Sequence, residues 1–217
     1  MADPTPLRDR PQERNTPKDV EAEQTRHFAN ATGSGVPQNV ISDMQIYAQD
    51  AQAHESYRTY SEIPFIYEIM IKPDWNKAVK EFGRTWVAHE SNLERAAKQV
   101  GRPVPSFAEV QERLAGEGKP LEDIPDPTDR SYLLRGFCIF RLKAKNQEED
   151  WEPHRGFLGC DASQPQTVVF IALQDLDSRN GFFMNLKEGN DVCLDSRPDI
   201  QVPRSGGGLG IYLALNL

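Results

Sequence analysis

The sequence is poor in cysteine and has no long apolar run, and these two absences exclude several classes of protein. It contains three cysteines, Cys138, Cys160 and Cys193, and an odd number at wide spacing gives neither a disulfide framework nor a zinc knuckle. No stretch of roughly 18 or more apolar residues, the length that a bilayer requires, occurs in it. The N-terminus also lacks the basic-then-apolar pattern of a secretory signal. We therefore expect a cytoplasmic protein with reduced thiols and no membrane partner.

Basic residues are also outnumbered by acidic residues. The chain has 25 lysines and arginines against 33 aspartates and glutamates, which gives a formal net charge of −8. Nucleic-acid-binding domains present a basic face, so this balance argues against a nucleic-acid partner. Two enzyme motifs are also absent. No G-x-S-x-G nucleophile elbow occurs, and the glycine-rich segment 206–210 lacks the lysine and helix that follow a phosphate-binding loop.

The chain begins with a polar segment. Residues 1–38 are dense in Pro, Asp, Glu, Arg, Gln, Asn and Thr, and they contain few large apolar side chains. Such a segment cannot bury enough apolar surface to offset the entropy that it loses on ordering. This composition predicts a disordered, acidic and polar tail.

Residues 39–118 are predicted to form a helical part. Apolar residues recur at helical spacing over about 39–57, and again along one long helix after Pro73 that ends before Gly101. Ser106 and Glu109 have the spacing of a capping box, which predicts the start of a short helix. Residues 119–129 contain three prolines and four acidic residues, and we interpret them as a linker to a β part at 130–217.

The β part is organised around residues 167–189. The apolar run from Val168 to Leu173 is rich in β-branched and aromatic residues, which predicts a strand buried on both faces. A polar turn with Asn180-Gly181 follows, and the apolar segment from Phe182 to Leu186 predicts the partner strand of a hairpin. Further strands are predicted at 133–142, with a bulge or a close-packing point at Gly136, and at 209–217. Helices followed by strands predict an α+β fold.

Residues 167–189 resemble a segment of the phytanoyl-CoA dioxygenase-like proteins, which belong to the Fe(II)- and 2-oxoglutarate-dependent oxygenase superfamily. In that family a strand ending in I-A-L-x-D leads to an acidic turn, N-G, a second strand and P-G-S-H. Residues 169–175 and 180–181 match the first parts, whereas 188–191 keep only the glycine of the last part. The resemblance covers residues 130–217. It implies a double-stranded β-helix (jelly-roll) with an N-terminal helical layer, Fe(II) and 2-oxoglutarate as cofactors, and a small-molecule substrate that is oxidised.

The resemblance also implies where metal ligands would lie. The family binds iron through a His-x-Asp pair and a distal histidine, and an arginine binds the far carboxylate of 2-oxoglutarate. His154 lies about 16 residues before Phe170, as the first ligand of the family does, but Gly156 then takes the carboxylate position. A second register places Asp161 at the carboxylate position and loses the histidine. We predict His154 and Asp161 as metal ligands, and Phe170, on the wall that His154 would face, as a cofactor-binding residue.

Several interpretations of this site are open at the level of sequence. Residues 210–217 resemble the family strand that leads up to the distal histidine, and the sequence ends before that histidine and the arginine. The chain is then either an oxygenase with an incomplete site or a non-catalytic jelly-roll protein that serves as a binding or scaffold protein. A His-x-Gly triplet is also similar to that of the iron halogenases, and His154 can equally be an ordinary loop histidine. A cupin-like pocket without metal is a further alternative.

Overall fold

Helices and an antiparallel sheet make up the part of the chain that the computed structural model describes, which confirms the predicted α+β class. The structure describes residues 32–33, 38–53, 57–59, 66–69, 73–118, 128–142, 167–195 and 205–217. The described helices are α1 (Gln38–Ala53), α2 (Pro73–Ala88), α3 (Glu90–Val100) and α4 (Phe107–Gly116), followed by a 3₁₀ turn at Arg130–Leu133. The described strands are β1 (Thr32–Gly33), β2 (Tyr57–Thr59), β3 (Ile66–Ile69), β4 (Leu134–Leu142), β5 (Thr167–Ala172), β6 (Asn190–Asp195) and β7 (Leu209–Leu215).

The described strands belong to one sheet, in the order β1-β6-β5-β7-β4-β3-β2. Every neighbouring pair in it is antiparallel. Phe170 of β5 lies opposite Val192 of β6 on one side and Tyr212 of β7 on the other. On its far side β7 pairs with β4, with a register shift between Leu134 and Gly136 that confirms the predicted bulge. The last strand of the chain therefore lies inside the sheet, between two strands that precede it in sequence.

Strand β5 has the double-sided burial that its sequence predicts. All of its residues are buried. Val169 and Ile171 pack among the helices, whereas Val168 and Phe170 point to the opposite side of the sheet. A strand that is covered on both faces has no polar face to present, and this is why its sequence is a continuous apolar run.

The predicted hairpin partner of this strand is wrong. β5 pairs with β6 and β7, and the segment from Phe182 to Leu186 contributes only an isolated bridge between Leu186 and Leu176. Phe182 and Phe183 are buried by folding over the face of the sheet, where their rings contact Phe170. An apolar segment gains the same burial by covering a sheet as by joining it, so its composition did not distinguish the two arrangements.

The long helix predicted after Pro73 is two helices. α2 ends at Ala88, the exposed His89 takes an extended conformation, and α3 begins at Glu90. α3 ends at Gly101, whose φ of 67° is the left-handed conformation that favours glycine. No helix among the described residues is long and apolar enough to cross a membrane.

The predicted capping box is confirmed at the start of α4. The Ser106 Oγ accepts a hydrogen bond from the Glu109 amide at 3.3 Å, and a Glu109 carboxylate oxygen accepts one from the Ser106 amide at 2.7 Å. These bonds satisfy two of the backbone N–H groups that the first turn of a helix leaves without a partner. The hydrogen bonds that the Ser106 amide and hydroxyl donate to the Glu109 carboxylate also hold the pKa of Glu109 below its ordinary value.

The sheet has two differently covered faces. We call the first the helical face; its residues include Ile171, Cys193, Ile211 and Leu213, and they share a core with Phe82, Trp86 and Leu93 of the helices. We call the second the aromatic face; its residues include Phe140, Phe170 and Tyr212, and they share a core with Phe182 and Phe183. The predicted tail and linker fall outside the described residues, except for 32–33, 38 and 128–129.

The close approach of β7 to its neighbours generates a first prediction. A Cβ atom on Gly210 would lie 2.5 Å from Cζ of Phe140 and 2.7 Å from the carbonyl oxygen of Ile171. Gly210→Ala should therefore lower the free energy of unfolding in urea by about 1–3 kcal/mol, the usual cost of overpacking. Gly136→Ala is the control, because its Cβ would meet only Ala214 at an ordinary 3.7 Å. Equal stability of the two variants would contradict the packing of β7 between β4 and β5.

Candidate functional site

The two predicted metal ligands cannot be placed. His154 and Asp161 fall outside the described residues, so the metal site stays a prediction. Within the described parts of the chain, no group of three or more His, Cys, Asp and Glu side chains is arranged to hold a metal ion. The third predicted site residue, Phe170, is described, and its surroundings define the first of three features that we consider.

Phe170 lies at the centre of an aromatic cluster. Its side chain has no solvent exposure. Its ring centroid lies 5.5 Å from that of Phe140, 5.7 Å from Tyr212, 5.6 Å from Phe182 and 6.4 Å from Phe183, with every pair edge to face. Such pairs align the positive ring edge with the negative ring face and add about 0.5–1.5 kcal/mol each to the burial of their area.

The cluster has little capacity for acid–base or metal chemistry. Apart from the Tyr212 hydroxyl and the sulfur atoms of Cys138 and Met184, the described side chains of the aromatic face are hydrocarbons. Hydrocarbon side chains cannot donate the hydrogen bonds that a buried dicarboxylate needs. The predicted role of Phe170 in cofactor binding therefore stays a prediction, and its observed contacts are those of a core residue.

A tightly bonded turn positions Phe182 over Phe170. The Asn180 side-chain oxygen accepts from the Asp177 amide at 2.9 Å, and the Asp177 carbonyl accepts from the Phe182 amide at 2.9 Å. Between them Gly181 has a φ of 96°, and a Cβ there would lie 2.4 Å from the Ser205 carbonyl oxygen. The glycine is thus required both by its backbone conformation and by the close approach of another chain segment.

The second feature is a buried carboxylate on the helical face. Asp191 of β6 has no solvent exposure. One of its oxygens, Oδ2, accepts a hydrogen bond from Trp86 Nε1 at 2.9 Å and another from Arg95 Nη2 at 2.5 Å. The other oxygen, Oδ1, is also buried and has no hydrogen-bond partner in the described structure. The Arg95 side chain is 20% exposed, so the pair lies at the margin of the core.

Helix α3 presents the residues that contact this edge of the sheet. Arg95 and Gln99 are one helical turn apart, and the Gln99 side-chain oxygen accepts from the Cys193 amide at 3.1 Å. Asn92, which is fully buried, donates to the Trp86 carbonyl at 3.1 Å and accepts from Arg95 at 3.1 Å. Side chains of α2 and α3 therefore bond both a carboxylate and a backbone donor of β6.

Burial dominates the electrostatics of Asp191. Loss of hydration raises its pKa from 3.8 to about 6, although the charge of Arg95 and the hydrogen bonds from Trp86 and Arg95 act in the opposite direction. Burial likewise raises the pKa of the Cys193 thiol well above its ordinary value, so that side chain is neutral. Asp191 is thus a buried acid that changes its charge near pH 6.

Sequence reasoning missed this cluster. Residues 188–191 were interpreted as a decayed copy of the P-G-S-H motif, and β6 was not predicted. The apolar part of β6 is only Val192-Cys193-Leu194, which is too short to indicate a strand by periodicity. The helical partners are 96 and 105 residues away in sequence, so no local spacing links them to Asp191.

The third feature is a cleft of about 350 Å³ on the helical side. It lies where α3, the segment before α4 and the 3₁₀ turn meet. Its lining residues are Glu90, Leu93, Glu94, Val104, Pro105, Ser106, Glu109, Arg130 and Tyr132. Arg130 donates to Glu90 at 3.2 Å, and three carboxylates against one guanidinium leave the rim acidic. The cleft offers an acidic rim and an apolar floor.

The buried acid generates a second prediction. Because the folded-state pKa of Asp191 is raised, its stabilising contribution is complete below pH 3.8 and is lost as the pH rises through about 6. The unfolding free energy of the wild type minus that of Asp191→Asn should fall by about 2 kcal/mol between pH 4 and 7. Urea unfolding at each pH measures this difference.

Asp177→Asn is the control, and for it we expect the difference in unfolding free energy between wild type and variant to rise with pH. Hydrogen bonds from Arg179 lower the pKa of Asp177, so its contribution is present above pH 3.8 and is lost as the pH falls. A difference between wild type and Asp191→Asn that does not change with pH would contradict the burial of an ionisable Asp191.

The aromatic cluster generates a third prediction. Phe170→Ala should lower the free energy of unfolding by about 3–5 kcal/mol, because the neighbouring strands cannot close the cavity that it leaves. Phe107→Ala is the control, since Phe107 is only partly buried and its ring contacts Tyr132 at 5.4 Å near the surface. Its loss should be clearly smaller. A loss below about 1 kcal/mol for Phe170→Ala would show that the cluster does not support the sheet.

No protein-family model matches the chain, and neither the curated proteins nor the solved structures contain a match to it. The resemblance to phytanoyl-CoA dioxygenase-like proteins therefore stays a prediction from residues 167–189.

Proposed function

We propose that the chain is a non-catalytic jelly-roll protein that acts by binding a partner at its surface. The observation that carries the proposal is the filling of the aromatic face. The inner wall of a catalytic barrel has to leave room for a substrate and polar groups to orient it. Here the fully buried Phe170 ring contacts four other rings, two of them supplied by the 173–189 loop that folds over the sheet.

The order of the strands supports the jelly-roll part of the proposal. An eight-stranded jelly-roll can be derived by rolling up a long hairpin in which strand 1 pairs with 8, 2 with 7, 3 with 6 and 4 with 5. Rolling places the 1–8 pair beside the 3–6 pair, so one sheet has the order 1-8-3-6. The described order β4-β7-β5-β6 corresponds to it when β4 is first, β5 third, β6 sixth and β7 last.

The short bridge in the 173–189 loop is consistent with the same winding. Strands 4 and 5 form the closed end of the rolled hairpin, between strands 3 and 6 in sequence. Leu176 and Leu186 pair with each other at that place, between β5 and β6. In this assignment the aromatic face lines the interior and the helices cover the outside.

Iron and 2-oxoglutarate do not fit the part of this interior that the structure describes. Its side chains are hydrocarbon apart from the Tyr212 hydroxyl and the sulfur atoms of Cys138 and Met184, and this set is too small to complete a metal site or to pair both ends of a dicarboxylate. His154 and Asp161, which would have to supply the ligands, lie outside the described residues. We therefore derive no reaction step through either group, and the interior serves as a packed core.

Binding is then a property of the outer surface. The cleft between α3 and the 3₁₀ turn combines the apolar Leu93, Val104 and Pro105 with an acidic rim. Val104 is 37% exposed, so it presents apolar surface at the cleft. The combination suits a partner that carries an aliphatic chain with a cationic end, such as a lysine or arginine side chain.

A second candidate function is the oxygenase activity itself. The same strand order favours it, because it places β5, the strand that carries the sequence resemblance, in the wall of a barrel. His154 and Asp161 would then have to complete a metal site with ligands that the sequence does not identify. The two functions differ in whether the chain binds Fe(II) and 2-oxoglutarate.

Calorimetry under anaerobic conditions separates the two functions, and this is our fourth prediction. Titration of the full chain with Fe(II) in the presence of 2-oxoglutarate should show weak or no binding, because Gly156 supplies no carboxylate beside His154. His154→Ala is the matched variant and should behave like the wild type. Micromolar binding that His154→Ala abolishes would establish a working metal site, and the non-catalytic proposal would fail.

A further inference from the structure

We propose that Asp191 is a proton-operated latch between strand β6 and helix α3, closed while the carboxyl carries a proton and loosened when the proton is lost. The latch consists of Asp191 and Cys193 on the strand, Arg95 and Gln99 on the helix, and Trp86, which approaches from α2. The proposal is independent of any binding or catalytic role of the chain.

The hydrogen bonds of the two Asp191 oxygens favour a proton on Oδ1 over one on Oδ2. Both donors that reach Asp191 bond to Oδ2, while Oδ1 is buried without a partner in the described structure. A negative charge on a buried oxygen that receives no hydrogen bond is strongly disfavoured. A proton on Oδ1 removes that charge and leaves Oδ2 free to accept from Trp86. The raised pKa of this carboxyl, about 6, agrees with this arrangement.

The surroundings of Asp191 contain one compensating charge among the described residues. Arg95 of α3 supplies it, and the Cys193 thiol on the same strand is neutral. From α2 the neighbour is the uncharged Trp86, and the residue opposite on β5 is Ile171. On β1 the opposite residue is Thr32. Arg95 does not fully offset the loss of hydration, so the ionised carboxylate favours any opening that gives it water.

The position of the pair makes such an opening local. Asp191 lies on the second strand from one end of the sheet, and Arg95 is already partly exposed, so both groups can reach solvent when α3 moves away from β6. That movement would also break the bond from the Cys193 amide to Gln99. The Cys193 amide therefore reports opening of the latch, and the Trp86 indole N–H reports the protonation state of Asp191.

Nuclear magnetic resonance tests both parts in the full chain, and this is our fifth prediction. The Trp86 indole N–H should titrate with a midpoint near pH 6. Hydrogen-exchange protection of the Cys193 amide, corrected for the intrinsic rate, should fall about tenfold between pH 5 and 7.5, because the open form binds the proton less tightly. In Asp191→Asn, which keeps the shape and both acceptor bonds, neither change should occur.

A control on the same helix separates the latch from general effects of pH. Glu94→Gln removes an exposed carboxylate of α3 that does not bond to the cluster, and it should reproduce the wild-type profile. Cys193 protection that is flat with pH in the wild type would overturn the proposal. The same pH dependence in Asp191→Asn would also overturn it, because another group would then be the sensor.

Discussion

Burial of β5 and β7 on both faces is the constraint on which the rest of the structure depends. Every residue of these two strands is buried, and they pair with each other at the centre of the sheet. Because both faces of these strands are apolar, another part of the chain has to shield each face from water. The helices shield the first face, and the 173–189 loop, with Phe182 and Phe183, shields part of the second. Close backbone approaches at Gly181 and Gly210 follow from fitting these layers together.

Asp191 is the exception within this apolar arrangement. A lone buried carboxylate is costly, and its hydrogen bonds to Trp86 and Arg95 recover only part of the hydration that it loses. In return the cluster fixes how α2 and α3 meet the edge of the sheet, because its donors come from both helices. The Gln99 side-chain oxygen additionally accepts a hydrogen bond from the Cys193 amide of β6.

Local features of the fold could be predicted from the sequence, and long-range pairings could not. The double-sided burial of β5, the capping box at Ser106 and the Gly101 helix end each depend on residues close in sequence, and the structure confirms them. The partner of β5 depends on which distant strand competes best for its edges. The pattern of Phe182 to Leu186 did not contain that information.

The same contrast between local features and long-range contacts applies to the candidate site. His154 and Asp161 were proposed from a resemblance, and they lie outside the described residues. The Asp191 cluster joins residues of α2 and α3 to a strand that lies 96 to 105 residues later in the sequence. Only the three-dimensional structure shows that these residues are in contact. The members of the cluster are a tryptophan, an arginine and an aspartate in unremarkable surroundings, so no motif identified them in advance.

The central claim is that β7 inserts between β4 and β5 at the centre of the sheet. Cross-strand nuclear Overhauser effects test it most directly. The account predicts contacts from the backbone of β7 to both neighbours, among them Tyr212 to Cys138 and Tyr212 to Phe170. A ladder of contacts between β5 and the segment from Phe182 to Leu186, with none to β7, would contradict it.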